Sequence, residues 1–97
     1  MEIKGFDWDN GNWPKCGKHG VSRDEIERLF TEGNAAYSPD LDHTTLEEDR
    51  YIVVGQVDGR SLFVAFTLRG NLIRPVSARY MHRREARHYE DSTTNEN

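Results

Sequence analysis

The clearest periodicity in the chain lies between residues 21 and 33. Ile26, Leu29 and Phe30 form an apolar stripe at i, i+3 and i+4, Ser22 and Glu25 have capping-box spacing just before it, and Val21 precedes the cap. Gly33 follows as a stop, so the pattern predicts an amphipathic helix over 23–32. From 50 to 57 the pattern changes to a β-branched run, Asp58-Gly59 supplies two-residue hairpin chemistry, and 61–68 reads as the returning strand. Arg69-Gly70-Asn71 offers a second turn before a third strand over 72–79, in which Pro75 cannot donate to a ladder and so calls for an edge or a bulge.

The flanking segments are less regular. Ile3 to Trp8 alternates loosely, Asp9-Asn10-Gly11-Asn12 is turn chemistry, and 13–19 reads as a short helix ended by Gly20. Residues 35–37 suit a short strand, and the acidic, turn-rich stretch from there to Asp49 reads as a surface loop. A helix is expected over 82–89 and a disordered polar tail over 91–97. Together these elements predict one α+β domain over 1–90, with N-terminal helices packed on one face of an antiparallel sheet, a C-terminal helix after it, and the other face free for function.

Composition narrows the function classes. The 97 residues suffice for one core, and no run of about 18 apolar residues or signal-like start is present, so a cytoplasmic protein without membrane contact is expected. Cys16 is the single cysteine, which excludes an internal disulfide and reads as a small buried hydrophobe. His19, His43, His82 and His88 are too scattered to form a metal set by spacing, and neither metal nor cofactor is expected. No phosphate-binding loop, dinucleotide fingerprint or His-Glu-x-x-His is present.

The net charge of −4 conceals a division between the halves. Residues 1–49 carry five basic and twelve acidic side chains, whereas residues 50–97 carry eight arginines and five acids. Six of those arginines lie between Arg69 and Glu90, a local field that draws an anionic ligand.

Metal-free RNA cleavage needs a base for the 2′-hydroxyl, an acid for the leaving 5′-oxygen, and cations for the phosphorane. Suitable side chains cluster where the third strand meets the final helix. Arg79 ends that strand, Tyr80 and His82 follow it, and Arg83 and Arg87 share a helical face one turn apart. Arg69 opens the basic segment, and Tyr80 can stack on a base. Lys18-His19-Gly20 forms a second constellation at a helix end, where a cation also offsets exposed carbonyls. The third is Glu47-Glu48-Asp49-Arg50, in which a carboxylate beside an arginine can position it or act as a base.

Phe6-Asp7-Trp8-Asp9, Lys18-His19-Gly20-Val21-Ser22, Glu48-Asp49-Arg50-Tyr51, and Ser77-Ala78-Arg79 with Glu85 and Tyr89 beyond it resemble the BrnT family of type II toxins, from about Phe6 to Glu90. That resemblance implies a RelE-like fold and an endoribonuclease that cuts RNA to inhibit growth. It further implies neutralisation by a BrnA-like antitoxin with a ribbon-helix-helix region, and contact with operator DNA only through the toxin–antitoxin complex. Under it, His19, Glu48, Arg50, Arg79 and His82 are the candidate catalytic residues, and Lys18, Arg69, Tyr80, Arg83 and Arg87 the candidate RNA contacts. Where many family members have a lysine and an asparagine in the first helix, this chain has Gly11-Asn12-Trp13-Pro14-Lys15-Cys16, and Tyr80-Met81-His82 follows Ser77-Ala78-Arg79. The alternative is a catalytically inactive relative that binds protein or acts as a co-repressor with its antitoxin.

Overall fold

The computed structural model describes residues 3–32 and 34–94, with side chains through His88. Within those residues the order is β1 (Gly5–Phe6), α1 (Trp13–Gly17), α2 (Arg23–Thr31), β2 (Ala36–Pro39), β3 (Tyr51–Val57), β4 (Arg60–Arg69), β5 (Leu72–Tyr80) and α3 (Arg83–Thr94). The described strands form one sheet in the order β1-β5-β4-β3-β2.

The hairpin forms as its turn residues require. Asp58 and Gly59 both have positive φ, 51° and 80°, the backbone of a two-residue turn whose twist matches the strands it joins. Gly70, at φ 61°, serves the next turn. Along β4 and β5 the register slips between Ala65 and Phe66, because Ser77 faces Ala65 while Pro75 faces Phe66. The bulge leaves Val76 as the extra residue beside the proline, as the missing N–H of Pro75 demands.

The sheet is mixed, which corrects the expectation of an antiparallel one. Gly5 and Phe6 pair in parallel with Leu72 and Ile73, and the amides of Lys4 and Asp7 donate to the carbonyls of Asn71 and Ile73 at 2.9 and 2.8 Å. A two-residue strand joined by a long-range contact is too short for the loose alternation of residues 3–8 to reveal its direction. Past this pairing the edge of β5 is covered by the start of α1, where the buried Asn12 donates through Nδ2 to the Pro75 carbonyl at 2.8 Å. The last helix runs to Thr94 and so takes in the first four residues of the expected tail. Residues 95–97, and the expected helix stop at Gly33, lie outside the described residues.

Alternation sorts the strands into two faces. Val53, Val64 and Ala78 lie side by side on one, with Tyr51, Val57, Leu62, Phe66 and Ile73 in the same layer, and Val21, Ile26 and Leu29 pack against it. Ser22 starts α2 with a full capping box: its Oγ accepts from the Glu25 amide at 3.1 Å, and its own amide donates to Glu25 Oε1 at 3.1 Å. Burying Ile26 and Leu29 contributes roughly 1.5–3 kcal/mol each.

Gly55 lets α2 approach this layer. A Cβ there would meet Leu29 Cδ1 at 2.9 Å and the Ala35 backbone at 3.3 Å. Gly55→Ala is therefore expected to cost about 1–3 kcal/mol, read as a lower urea midpoint with an unchanged slope.

Candidate active site

The other face carries Ile52 on β3, Phe63 and Ala65 on β4, and Val76 and Ser77 on β5, and these floor a groove of about 570 Å³. Its walls are polar. Lys15 and Gly11 come from α1 and its approach, Arg69 and Arg74 from the sheet, and His43, Glu48 and Arg50 from the loop between β2 and β3.

That loop is closed at its base like a small Ω. The Asp40 amide donates to the Arg50 carbonyl at 2.8 Å, and Thr44 Oγ1 accepts from the Arg50 amide at 3.0 Å while donating to the Asp40 carbonyl at 2.9 Å. The Thr45 amide donates to the Glu48 carbonyl at 2.9 Å, Thr45 Oγ1 accepts from the Glu48 amide at 3.1 Å, and Thr67 Oγ1 donates to the Asp49 carbonyl at 2.7 Å. With its ends fixed, the loop directs Glu48 and Arg50 at each other: Arg50 Nε donates to Glu48 Oε1 at 2.6 Å, and both side chains remain about one-third exposed. His43 Nδ1 lies 2.8 Å from Asp40 Oδ2. A carboxylate at one ring nitrogen fixes the imidazole and leaves the other for proton exchange.

Arg74 is the most deeply set cation here. Its fork donates to both Asp9 oxygens at 3.1 Å, and Asp7 Oδ2 lies 3.3 Å from Nη1. The hydrogen bond from Arg74 holds the Asp9 carboxyl below the usual aspartate range, helped by the Gly11 amide at 2.7 Å. Two carboxylates neutralise this arginine and Glu48 pairs with Arg50, so the field that a bound anion would meet comes first from Lys15 and Arg69, with Asp40 and Asp42 lining the same groove.

The residues expected from sequence divide into three groups. Glu48, Arg50 and Arg69 come together in the groove. Arg79 stands at its border, with its guanidinium carbon 4.4 Å from the centroid of Phe63 and its fork donating to both oxygens of Glu85 at 2.7 and 2.9 Å. The hydrogen bond from Arg79 holds Glu85 below the ordinary glutamate range, and the pair fastens α3 to β5. Tyr80, Arg83 and Arg87 line a separate cleft, His82 is exposed just before α3, and Lys18 and His19 are exposed beyond the end of α1 and line neither cavity.

Among the groove's basic side chains, Lys15, His43 and Arg74 escaped the sequence reading. For His43 a local signal exists, since Asp40 lies three residues earlier in a turn. Arg74 has none, because its partners lie 65 and 67 residues away. Cys16 is fully buried, and burial pushes its thiol up to about 11, so it is no nucleophile at neutral pH. A larger cavity of about 620 Å³ on the helix-bearing face is lined by Phe6, Phe30, Tyr37, Phe66 and other apolar groups, without a carboxylate or an imidazole. No helix among the described residues is long and apolar enough to cross a membrane.

Residues 8–85 match the family model described as "Ribonuclease toxin, BrnT, of type II toxin-antitoxin system". No curated protein matches the chain.

Proposed function

The chain belongs to the BrnT family of ribonuclease toxins of type II toxin–antitoxin systems, and from that premise we propose that the groove on its open face cleaves RNA without a metal ion. The observation that supports this most is the convergence of Glu48, Arg50, Arg69, Lys15 and the Asp40-held His43 on one groove. In the reading we favour, Glu48 takes the 2′-hydroxyl proton and the freed oxygen attacks the adjacent phosphorus. His43 protonates the departing 5′-oxygen, and Arg50 and Arg69 stabilise the added negative charge. The products are a 2′,3′-cyclic phosphate and a 5′-hydroxyl. Arg79 acts as a positioning residue, because Glu85 and Phe63 occupy its fork and its face.

The finer family expectations go with this reading. The domain is taken as RelE-like, and the partner as a BrnA-like ribbon-helix-helix antitoxin that supplies the operator contact. Induced alone in bacteria, the chain is expected to stop growth and shorten cellular RNA, and co-expression of the neighbouring antitoxin gene is expected to restore growth. Unimpaired growth with intact RNA would favour the inactive, protein-binding alternative.

A further inference from the structure

A second basic surface lies past the end of the groove. Arg60, Arg83 and Arg87 converge on a cleft of about 490 Å³ between the hairpin turn and α3, beside Tyr80 and Met81. Arg60 is laid over Tyr80, with its guanidinium carbon 3.4 Å from the ring centroid, and the Tyr80 hydroxyl donates to both Glu25 oxygens at 2.8 and 3.0 Å. The ring is thus pinned at its tip and orients the arginine above it.

The cleft's arginines differ in pairing from the four arginines fixed by carboxylates elsewhere. Arg28, Arg50, Arg74 and Arg79 are each held by a carboxylate at short range. No aspartate or glutamate lines the cleft, and among the described residues Arg83 and Arg87 form no ion pair. Glu25 at the Tyr80 hydroxyl offsets part of the Arg60 charge, but Arg83 and Arg87 one turn apart repel each other, and a bound anion relieves that repulsion.

The cleft also continues the groove. Ser61 lines the cleft and Phe63 lines the groove, and both lie on the open face of β4 two residues apart, a step of about 6.6 Å. Arg79 sits over Phe63 between the two. A file of arginines therefore runs from Arg69 and Arg50 past Arg79 to Arg83 and Arg87, and Arg60 reaches the cleft from the helix-bearing side of β4.

We propose that this cleft holds backbone phosphates of single-stranded RNA that flank the phosphate in the groove. The inference rests on the groove being the RNA site, and it makes the enzyme favour strands long enough to reach both. Guanidinium forks contact phosphate in two places without reading sequence, so the gain is independent of the bases.

The test uses the full chain and two RNAs blocked by 2′-O-methylation, a trinucleotide and a dodecamer, with affinities measured across a salt series. Wild type is expected to bind the dodecamer more tightly. Arg83→Gln/Arg87→Gln is expected to cut that length advantage about tenfold or more at low salt and to flatten the dodecamer salt dependence by about 0.7 per phosphate lost. Arg60→Gln provides an independent variant with the same direction of change. A double variant that keeps the wild-type length advantage and salt slope would overturn the inference while leaving the groove intact as the site. Loss of antitoxin binding with unchanged RNA binding would also overturn it, by assigning the cleft to a protein partner. Wild type that binds neither RNA would overturn both this inference and the reading it rests on.

Discussion

Arg50→Ala is expected to slow RNA cleavage by about two to three orders of magnitude and to abolish growth arrest. An arginine aimed at a phosphorane acts where charge develops in the transition state, and losing one preorganised donor of that kind costs about 2.7–4 kcal/mol of barrier. The variant should still fold. Arg50 holds the loop through its backbone amide and carbonyl, and its side chain, about one-third exposed, is hydrogen-bonded to Glu48. Such a pair contributes at most about 1 kcal/mol to stability, so the melting temperature should move by a few degrees. Single-turnover cleavage beside a thermal melt separates the two effects. Glu48→Gln probes the base separately, since it keeps an acceptor for Arg50 but no longer takes a proton.

Asn12→Leu is expected to have the largest effect on the fold. Asn12 is 2% exposed and uses three hydrogen bonds: Oδ1 accepts from the Asp9 amide, and Nδ2 donates to the carbonyls of Asp7 and Pro75, all at 2.8 Å. An apolar side chain of similar size leaves the buried Pro75 carbonyl and the half-buried Asp7 carbonyl and Asp9 amide without this partner. Each orphaned group costs about 1–3 kcal/mol, so a loss of about 3 kcal/mol or more is expected, on the order of 15 °C in melting temperature. The same bonds seat α1 on β5 and bring Gly11, Lys15 and Arg74 to the groove, so activity should fall with stability. A melting temperature within a few degrees of wild type would contradict this role.

What could be read from the sequence was local. The hairpin was legible because Asp58-Gly59 imposes its own turn, and α2 because Ser22, Glu25 and the stripe through Leu29 carry cap and face in one short stretch. Pro75 called for an edge or a bulge by the donor it lacks, and the bulge is what forms. By contrast, β2 is exposed at all four positions, so burial imposes no alternation on it, and β1 exists only through a parallel contact with residues 72 and 73.

The site shows the same division. Glu48 and Arg50 are near neighbours and were visible, whereas the groove also needs Lys15 from α1 and Arg74 from β5, which only the fold brings near. The motif residues that carry the family resemblance often hold structure. Asp7 and Asp9 neutralise Arg74. Trp8 donates to Glu27 at 2.8 Å and stacks edge-on against Trp13, and Arg23 lies 4.6 Å over the Trp13 ring. Gly20, at φ 88°, follows His19 in the turn toward the capped start of α2.

The most direct test is to map the ends of RNA cut by the purified chain in the presence of EDTA. The groove predicts a 2′,3′-cyclic phosphate on one fragment and a 5′-hydroxyl on the other, both absent from the Arg50→Ala reaction. Uncut RNA, or 5′-phosphate ends that form only when a divalent cation is restored, would contradict it.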